Sequence, residues 1–442
     1  MQKISIIGLG KVGLPLAAAI ASRGYHILGY DNDASKLEKI RKNIFSYEPH
    51  LDELMRQHAR RLQCTGHLSE IAGTAITFVA VPTPSIKNGA FSLRHLDHAL
   101  AKIGAVLKSK KEFHIVSVVS TVLPGSMEKL RKVIEKSSGK KCGRDFGLCY
   151  NPAFIALGNV IYNFLHPDFV LIGESDKPSG DKLEEFYLHF CKNDAKIHRM
   201  NFINAEITKI SVNTFITMKI SFGNTIARLC EQIPGAHSEV ITRAIGADRR
   251  IGTHYLKGAL GYGGPCFPRD NKAFAYMAKQ VGIKALSAEA THKINLSQIE
   301  WLSSFVMSKI RKEDTIAILG LSYKPDTDVI EESQGIALAQ ALLRRNCRLV
   351  LYDPAAMSSA SRIFEGKVTF AKNLDEALRR SQIIVITTPW NEFANIHPRN
   401  FASTNGHPKI VLDCWRILED KNVGQKAHYI PLGVSLAGRE GI

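Results

Sequence analysis

An apolar run at residues 3 to 7 leads straight into Gly8-Leu9-Gly10-Lys11-Val12-Gly13, and that junction constrains the fold more than any other feature of the chain. Glycines at this spacing allow a tight turn and a close backbone approach to a pyrophosphate, which then lies at the N-terminus of the following helix, Leu14 to Arg23. The next strand, Tyr25 to Tyr30, ends at Asp31, where a carboxylate accepts from ribose hydroxyls and favours NAD over NADP. Alone the glycines would be a weak signal; strand, loop, helix, strand and acid together make a dinucleotide site. Its candidate residues are Gly8, Gly10, Lys11, Val12, Gly13 and Asp31.

Further strand tips follow in the places where a doubly wound sheet holds its ligands. Ala75 to Val81 ends at Pro82-Thr83-Pro84, and His114 to Ser120 ends at Thr121, adding Pro82, Thr83 and Thr121 to the cofactor candidates. Ala205 to Gln232 is long, largely apolar and closed by Pro234 and Gly235, the pattern of a linking helix whose wide apolar face suits a symmetry mate. After Asp314 the opening pattern returns: Ile316 to Gly320, then Arg348 to Tyr352 ending in Asp353, then Ile383 to Thr387. This second half lacks a full glycine fingerprint and is predicted to bind something other than a dinucleotide. The expected fold is α/β, two Rossmann-like doubly wound parallel-sheet domains joined by a long central helix. Its domains are 1–195 for NAD, 196–300 for the helix and a cysteine loop, and 301–442 for a second ligand.

Composition removes several classes of function. The 442 residues are 45% hydrophobic and 22% charged, which is the balance of a globular enzyme and not of a disordered chain. The first residues run directly into a strand and do not read as a signal peptide, and no stretch of about 18 apolar residues occurs, so a cytoplasmic location without membrane contact is expected. The eight cysteines, at 64, 142, 149, 191, 230, 266, 347 and 414, lack disulfide or metal spacing, and no metal site is predicted. A formal charge of +17 is large, but the basic clusters Lys108 to Lys111, Arg131 to Lys141 and Arg344 to Arg348 carry no aromatic interleaving. They read as solvated faces, and no nucleic-acid partner is expected; such a partner would show affinity falling steeply with salt.

Cys266 lies in Gly261-Tyr262-Gly263-Gly264-Pro265-Cys266-Phe267-Pro268-Arg269-Asp270. A lone cysteine is more often a small buried hydrophobe than a nucleophile, but here glycines let the backbone meet a ligand, prolines stiffen the loop, and Arg269 and Lys257 favour a thiolate. A thiolate that adds to an aldehyde forms a thiohemiacetal, which still has a hydride to give and can be oxidised to a thioester. Beside a nicotinamide site, the implied chemistry is alcohol to acid by two hydride transfers.

These segments resemble the UDP-glucose/GDP-mannose dehydrogenase family of nucleotide-sugar dehydrogenases over essentially the whole chain. The resemblance rests on Gly8 to Gly13, Pro82-Thr83-Pro84, Ser120-Thr121-Val122, Glu206-Ile207-Thr208-Lys209 with Asn213, Arg250-Ile251-Gly252, the Cys266 loop and Tyr323-Lys324-Pro325-Asp326-Thr327. Gly263-Gly264 before the cysteine and Phe267-Pro268 after it resemble the UDP-glucose branch most, whereas the UDP-N-acetylhexosamine branch typically carries a histidine where this chain has Pro265. The resemblance implies NAD as cofactor, a UDP-sugar as substrate and a homodimer. By it, Cys266 carries the thioester, Lys209 and Asn213 stabilise the oxyanion, and Thr121 and Asp270 hold the water. Arg250, Tyr255, Lys257, Gly263, Lys324, Lys209 and Asn213 meet the sugar nucleotide, with Arg250 reaching across the dimer.

Departures from the family pattern are as informative as the matches. Pro-Glu-Phe-Leu-x-Glu-Gly is typical, whereas this chain has Pro152-Ala153-Phe154-Ile155-Ala156-Leu157-Gly158, so Ala153 and Leu157 replace two glutamates, the first being the family's favoured base for thioester hydrolysis. Phe169 stands for an arginine after Asp168, and Glu331 for the arginine of Arg-Glu-Ser. A general base is worth roughly two to four decades of rate, so the thioester is expected to be long-lived. Three outcomes are open: slow hydrolysis assisted by Asp270 and Thr121, capture by an amine to give a uronamide, or a descendant that only binds.

Overall fold

The computed structural model describes residues 3–45, 48–403 and 406–435. It divides into two compact units, Met1–Val212 and Asn213–Ile442, with the boundary inside one helix, Phe202–Gln232.

In the first unit the strands are β1 (Lys3–Ile7), β2 (His26–Tyr30), β3 (Leu62–Thr65), β4 (Ile76–Val79), β5 (His114–Val118), β6 (Phe146–Tyr150), β7 (Phe169–Glu174) and β8 (Lys196–Met200). They form one sheet in the order β3-β2-β1-β4-β5-β6-β7-β8, parallel throughout except between β6 and β7. Strands such as Ile76-Thr77-Phe78-Val79 are buried at every position, as a sheet covered on both faces requires. The strand order reverses about β1, with β2 on one side and β4 on the other, and the crevice beyond the carboxyl ends of these strands is where such sheets bind ligands. The helix Gly13–Ser22 is apolar all round and buried from Gly13 to Ala21, so it packs into the core directly behind the glycine loop.

A buried polar chain crosses the feet of β1, β4 and β5. His114 Nε2 is 2.7 Å from Thr77 Oγ1, which is 2.6 Å from Ser5 Oγ, and Ser5 Oγ is 3.0 Å from Thr74 Oγ1. On the other side of the ring the Lys110 ammonium lies 2.9 Å from Nδ1 and donates to the Thr74 carbonyl. Burial and the neighbouring ammonium push the His114 imidazole down to about 3, so it is neutral at pH 7.

In the second unit a six-stranded parallel sheet runs β11-β10-β9-β12-β13-β14, from β9 (Thr315–Leu319), β10 (Arg348–Tyr352), β11 (Thr369–Phe370), β12 (Ile383–Ile386), β13 (Ile410–Asp413) and β14 (His428–Pro431). Two parallel-sheet α/β bodies and a long helix are the architecture anticipated from the sequence. That helix starts three residues before the predicted Ala205, because Asn201 caps it: its side chain accepts from Asn204 N–H at 2.9 Å. Along its length Phe215, Met218, Phe222 and Leu229 recur at helical spacing and stay 37 to 59% exposed, an apolar stripe on one face.

Candidate active site

The glycine loop has the shape a pyrophosphate needs. A Cβ on Gly13 would stand 1.8 Å from the Gly8 carbonyl oxygen, so only glycine lets the helix start this close to the strand. At Gly10 no described atom comes within 4 Å of where a Cβ would stand, which leaves that backbone open to a ligand. Asp31 is buried at the tip of β2, where Oδ2 accepts from Leu9 N–H at 2.8 Å and from the Lys36 ammonium at 2.7 Å, and Oδ1 from Asp33 N–H at 3.0 Å. A carboxylate offers about four acceptor positions, so three protein donors leave capacity for a ribose hydroxyl. The loops after β4 and β5 are tied together by Thr83 Oγ1 donating to the Thr121 carbonyl at 2.8 Å and by Ser120 Oγ donating to the Val81 carbonyl at 2.6 Å.

The second unit's counterpart of Asp31 is Asp353, and it is consumed internally. Its Oδ2 takes Leu321 N–H, Ser322 N–H, Ser322 Oγ and Trp390 Nε1 at 2.7 to 3.2 Å, and its Oδ1 takes Ala355 and Ala356 N–H at 2.8 and 2.7 Å. Six donors leave no room for a ribose, which is the physical reason that the repeated half does not repeat the dinucleotide site.

Three of the sequence departures bear on one cluster in the first unit. Lys209, buried on the long helix, donates to the Ala153 carbonyl at 2.7 Å and stands 4.4 Å from the centre of the Phe154 ring. Phe154 packs on Phe169 with centroids 4.6 Å apart, and Phe169 meets His198 edge-on at 5.8 Å. At Ala153 and Phe169, where the family resemblance implies a glutamate and an arginine, there is aromatic packing, and a carbonyl and a ring face meet the ammonium. Leu157, partly buried, packs against the adjoining hydrophobic core.

Glu48, and Glu206 of the Glu206-Ile207-Thr208-Lys209 segment, neither of which has a role assigned from the sequence, hold backbone N–H groups in this unit. Glu48 accepts from Gly158 and Val160 N–H at 2.8 and 2.6 Å, and buried Glu206 accepts from Gly125 and Met127 N–H, both at 2.7 Å, at the start of the helix Ser126–Ser138. Burial raises the Glu206 pKa against the pull of those N–H groups. No short-range signal marks Glu48, since its partners lie more than a hundred residues away, at separations of 110 and 112.

In the second unit Cys266 is the N-cap of the helix Phe267–Gln280, with Pro268 in the first turn, and it is the exposed one of the eight cysteines. A thiol at a helix N-terminus faces the positive end of the dipole, which favours an anion there. Its carbonyl receives Asp270 N–H at 2.8 Å. The Asp270 carboxylate, fully buried, takes Asn213 Nδ2 at 2.6 Å and Arg269 Nε at 2.9 Å, so Asn213, Asp270 and Arg269 form a network one turn from the thiol. Ahead of Cys266, Gly264 has φ +81 and a Cβ there would stand 2.6 Å from the Tyr323 ring. A Cβ on Gly263 would stand 2.4 Å from the Glu332 carbonyl oxygen.

The remaining substrate candidates are spread more widely. Lys324 is partly buried in the loop after β9, Tyr255 is exposed and meets Phe267 edge-on at 6.1 Å, and Lys257 is 3.9 Å from Glu239. Arg250 is 88% exposed and pairs with Asp248 of its own loop at 2.6 Å, so it is not drawn to Cys266 within this unit. Among the described residues no group of His, Cys, Asp and Glu could hold a metal, and no helix is long and apolar enough to cross a membrane.

A dinucleotide loop with an acid at the next strand tip defines the class, an NAD-dependent oxidoreductase, and an exposed thiol stands at the head of a helix in the second unit. The chain belongs to the UDP-glucose/GDP-mannose dehydrogenase family, whose NAD binding domain matches residues 2–191, central domain residues 203–297 and UDP binding domain residues 317–420. UDP-glucose 6-dehydrogenase YwqF of Bacillus subtilis is 33% identical over 395 residues, 88% of each chain. UDP-glucose 6-dehydrogenase AglM of Haloferax volcanii is 31% identical over 423 residues, 94% of this chain and 97% of that one. The solved structure of a UDP-glucose dehydrogenase from Pyrobaculum islandicum superposes with a TM-score of 0.88 at 29% identity, covering 98% of both chains. The protein is a nucleotide-sugar dehydrogenase of this family with NAD as its cofactor.

Proposed function

We propose that the chain oxidises C6 of UDP-glucose from alcohol to acid, through a thioester on Cys266. The carrying observation is the exposed thiol at the head of the helix Phe267–Gln280, in a chain whose relatives are UDP-glucose 6-dehydrogenases. Residues 1–195 hold NAD on Gly8 to Gly13, Asp31, Pro82, Thr83 and Thr121, residues 196–300 carry the long helix and the Cys266 loop, and residues 301–442 hold the uridine nucleotide. Bound NAD accepts one hydride in each of the two oxidations.

The chain's residues do the rest. Removal of the hydroxyl proton and the first hydride converts the alcohol into an aldehyde. The Cys266 sulfur then adds to the aldehyde carbon, and the alkoxide that forms is stabilised by the Lys209 ammonium and the Asn213 amide. Loss of the second hydride leaves the thioester. Water attack on its carbon, with departure of the sulfur and loss of a proton, gives the uronate and restores the thiol. Asp270 is the carboxylate left to orient that water.

A second reading concerns release. Ala153 and Leu157 offer no carboxylate, so hydrolysis lacks its usual base, and an amine that attacks the acyl carbon expels the thiolate and leaves as a uronamide. The apolar stripe on the long helix supports a homodimer, in which Arg250 serves the partner's site. Reduced cofactor counted per sugar consumed, with UDP-glucose, GDP-mannose and a UDP-N-acetylhexosamine in parallel, tests the reading. Two per UDP-glucose and none with the others is the expected result; reduction confined to another sugar would reassign the substrate, and none at all would mean a protein that only binds.

A further inference from the structure

One amide side chain holds the Cys266 loop. Asn295, buried in the helix Leu286–Lys309, accepts Tyr262 N–H on Oδ1 at 2.7 Å and donates from Nδ2 to the Tyr262 carbonyl at 3.0 Å. It thereby satisfies both main-chain groups of one loop residue, as a neighbouring strand would. Gln334 Nε2 approaches the same carbonyl at 3.4 Å, and a Cβ on Gly261 would stand 2.5 Å from Asn295 Oδ1 and 2.7 Å from Gln334 Oε1, so both amides press on the backbone. The Tyr262 hydroxyl, buried, has no hydrogen-bond partner among the described residues, and the loop is held there through its main chain. Two residues on, Gly264 N–H donates to the Glu331 carbonyl at 2.9 Å, and two further on the Cys266 carbonyl is taken by Asp270 N–H at 2.8 Å. Residues 262, 264 and 266 of the segment that carries the thiol are thus each held through main-chain groups.

We infer that Asn295, assisted by Gln334, is the positioning residue for Cys266: it fixes the loop at Tyr262 so that the sulfur is presented at the head of the helix Phe267–Gln280. The inference rests on Cys266 being the nucleophile, and Asn295 acts on it only through the backbone.

Three measurements on the full chain test this: the rate of Cys266 alkylation by iodoacetamide at pH 7, followed by peptide mass spectrometry, kcat and KM for NAD with UDP-glucose, and near-ultraviolet circular dichroism as a check of folding. Asn295→Ala is expected to slow alkylation at least fivefold and to lower kcat at least thirtyfold, with KM for NAD within twofold of wild type. Asn295→Asp keeps the acceptor for Tyr262 N–H and should recover part of both losses. A folded Asn295→Ala protein whose alkylation rate stays within twofold of wild type would overturn the inference, whatever its kcat. If Asn295→Ala does not fold, Asn295→Asp and Gln334→Ala decide: slower alkylation in either upholds the inference, and wild-type rates in both sink it. Should wild type reduce no NAD with UDP-glucose, the proposed function fails, yet the alkylation comparison still judges Asn295.

Discussion

In the proposed covalent cycle Cys266 and Ala153 stand at the two ends, Cys266 making the thioester and Ala153 offering no carboxylate to help break it. Cys266→Ser leaves a weaker nucleophile at the same helix terminus and should lower UDP-glucose turnover by about three decades or more, measured as cofactor reduction. Ala153→Glu restores a carboxylate beside Lys209, and because a general base is worth roughly two to four decades, uronate release should rise at least tenfold. Unchanged release in that variant would mean that another group already activates water. Both residues are visible in the sequence because the surrounding motif supplies a frame in which a substitution shows. The aromatic consequence is not visible: Phe154 and Phe169 meet only through folding, as do Glu48 with Gly158 and Asn295 with Tyr262.

Among the elements, β5 carries a stability switch at its foot. The neutral His114 imidazole has its folded pKa depressed from 6.5 to about 3, so its contribution is fully present above pH 6.5 and declines as pH falls, because the unfolded chain takes up the proton first. Between those limits unfolding free energy should drop by up to about 1.4 kcal/mol per pH unit from this group alone. Denaturant titrations from pH 7 to pH 4, wild type against His114→Gln, should show that extra slope only in wild type; parallel slopes would refute it. The strands themselves are legible from apolar runs bounded by Gly, Pro and Thr. Their polar interior members, Ser5, Thr77 and His114, are not, since propensity does not say that three polar side chains on separate strands will satisfy one another. The long helix was legible in type and extent, and only its first turn escaped, because Asn201 as a cap looks like any loop asparagine.

At the scale of the whole molecule, the chain uses one nucleotide-binding architecture twice and disables the dinucleotide function in the second copy by filling Asp353 with protein donors. The repeat was legible because strand, turn and acid recur in the same order, and the loss of function was legible in the missing glycines. The proposed homodimer rests on the exposed stripe Phe215, Met218, Phe222 and Leu229. Sedimentation equilibrium should give a dimer for wild type and a monomer for Phe222→Glu; a monomeric wild type would remove the case for Arg250 acting on a partner.

In the proposed cycle oxidation reaches Cys266 and pauses there. Intact-protein mass spectrometry of the chain mixed with UDP-glucose and NAD tests it most directly. A covalent sugar-nucleotide adduct is expected to persist in wild type, to be absent from Cys266→Ser and to fade in Ala153→Glu as free uronate appears. Two reduced cofactors per free uronate with no adduct at any time in wild type would contradict it.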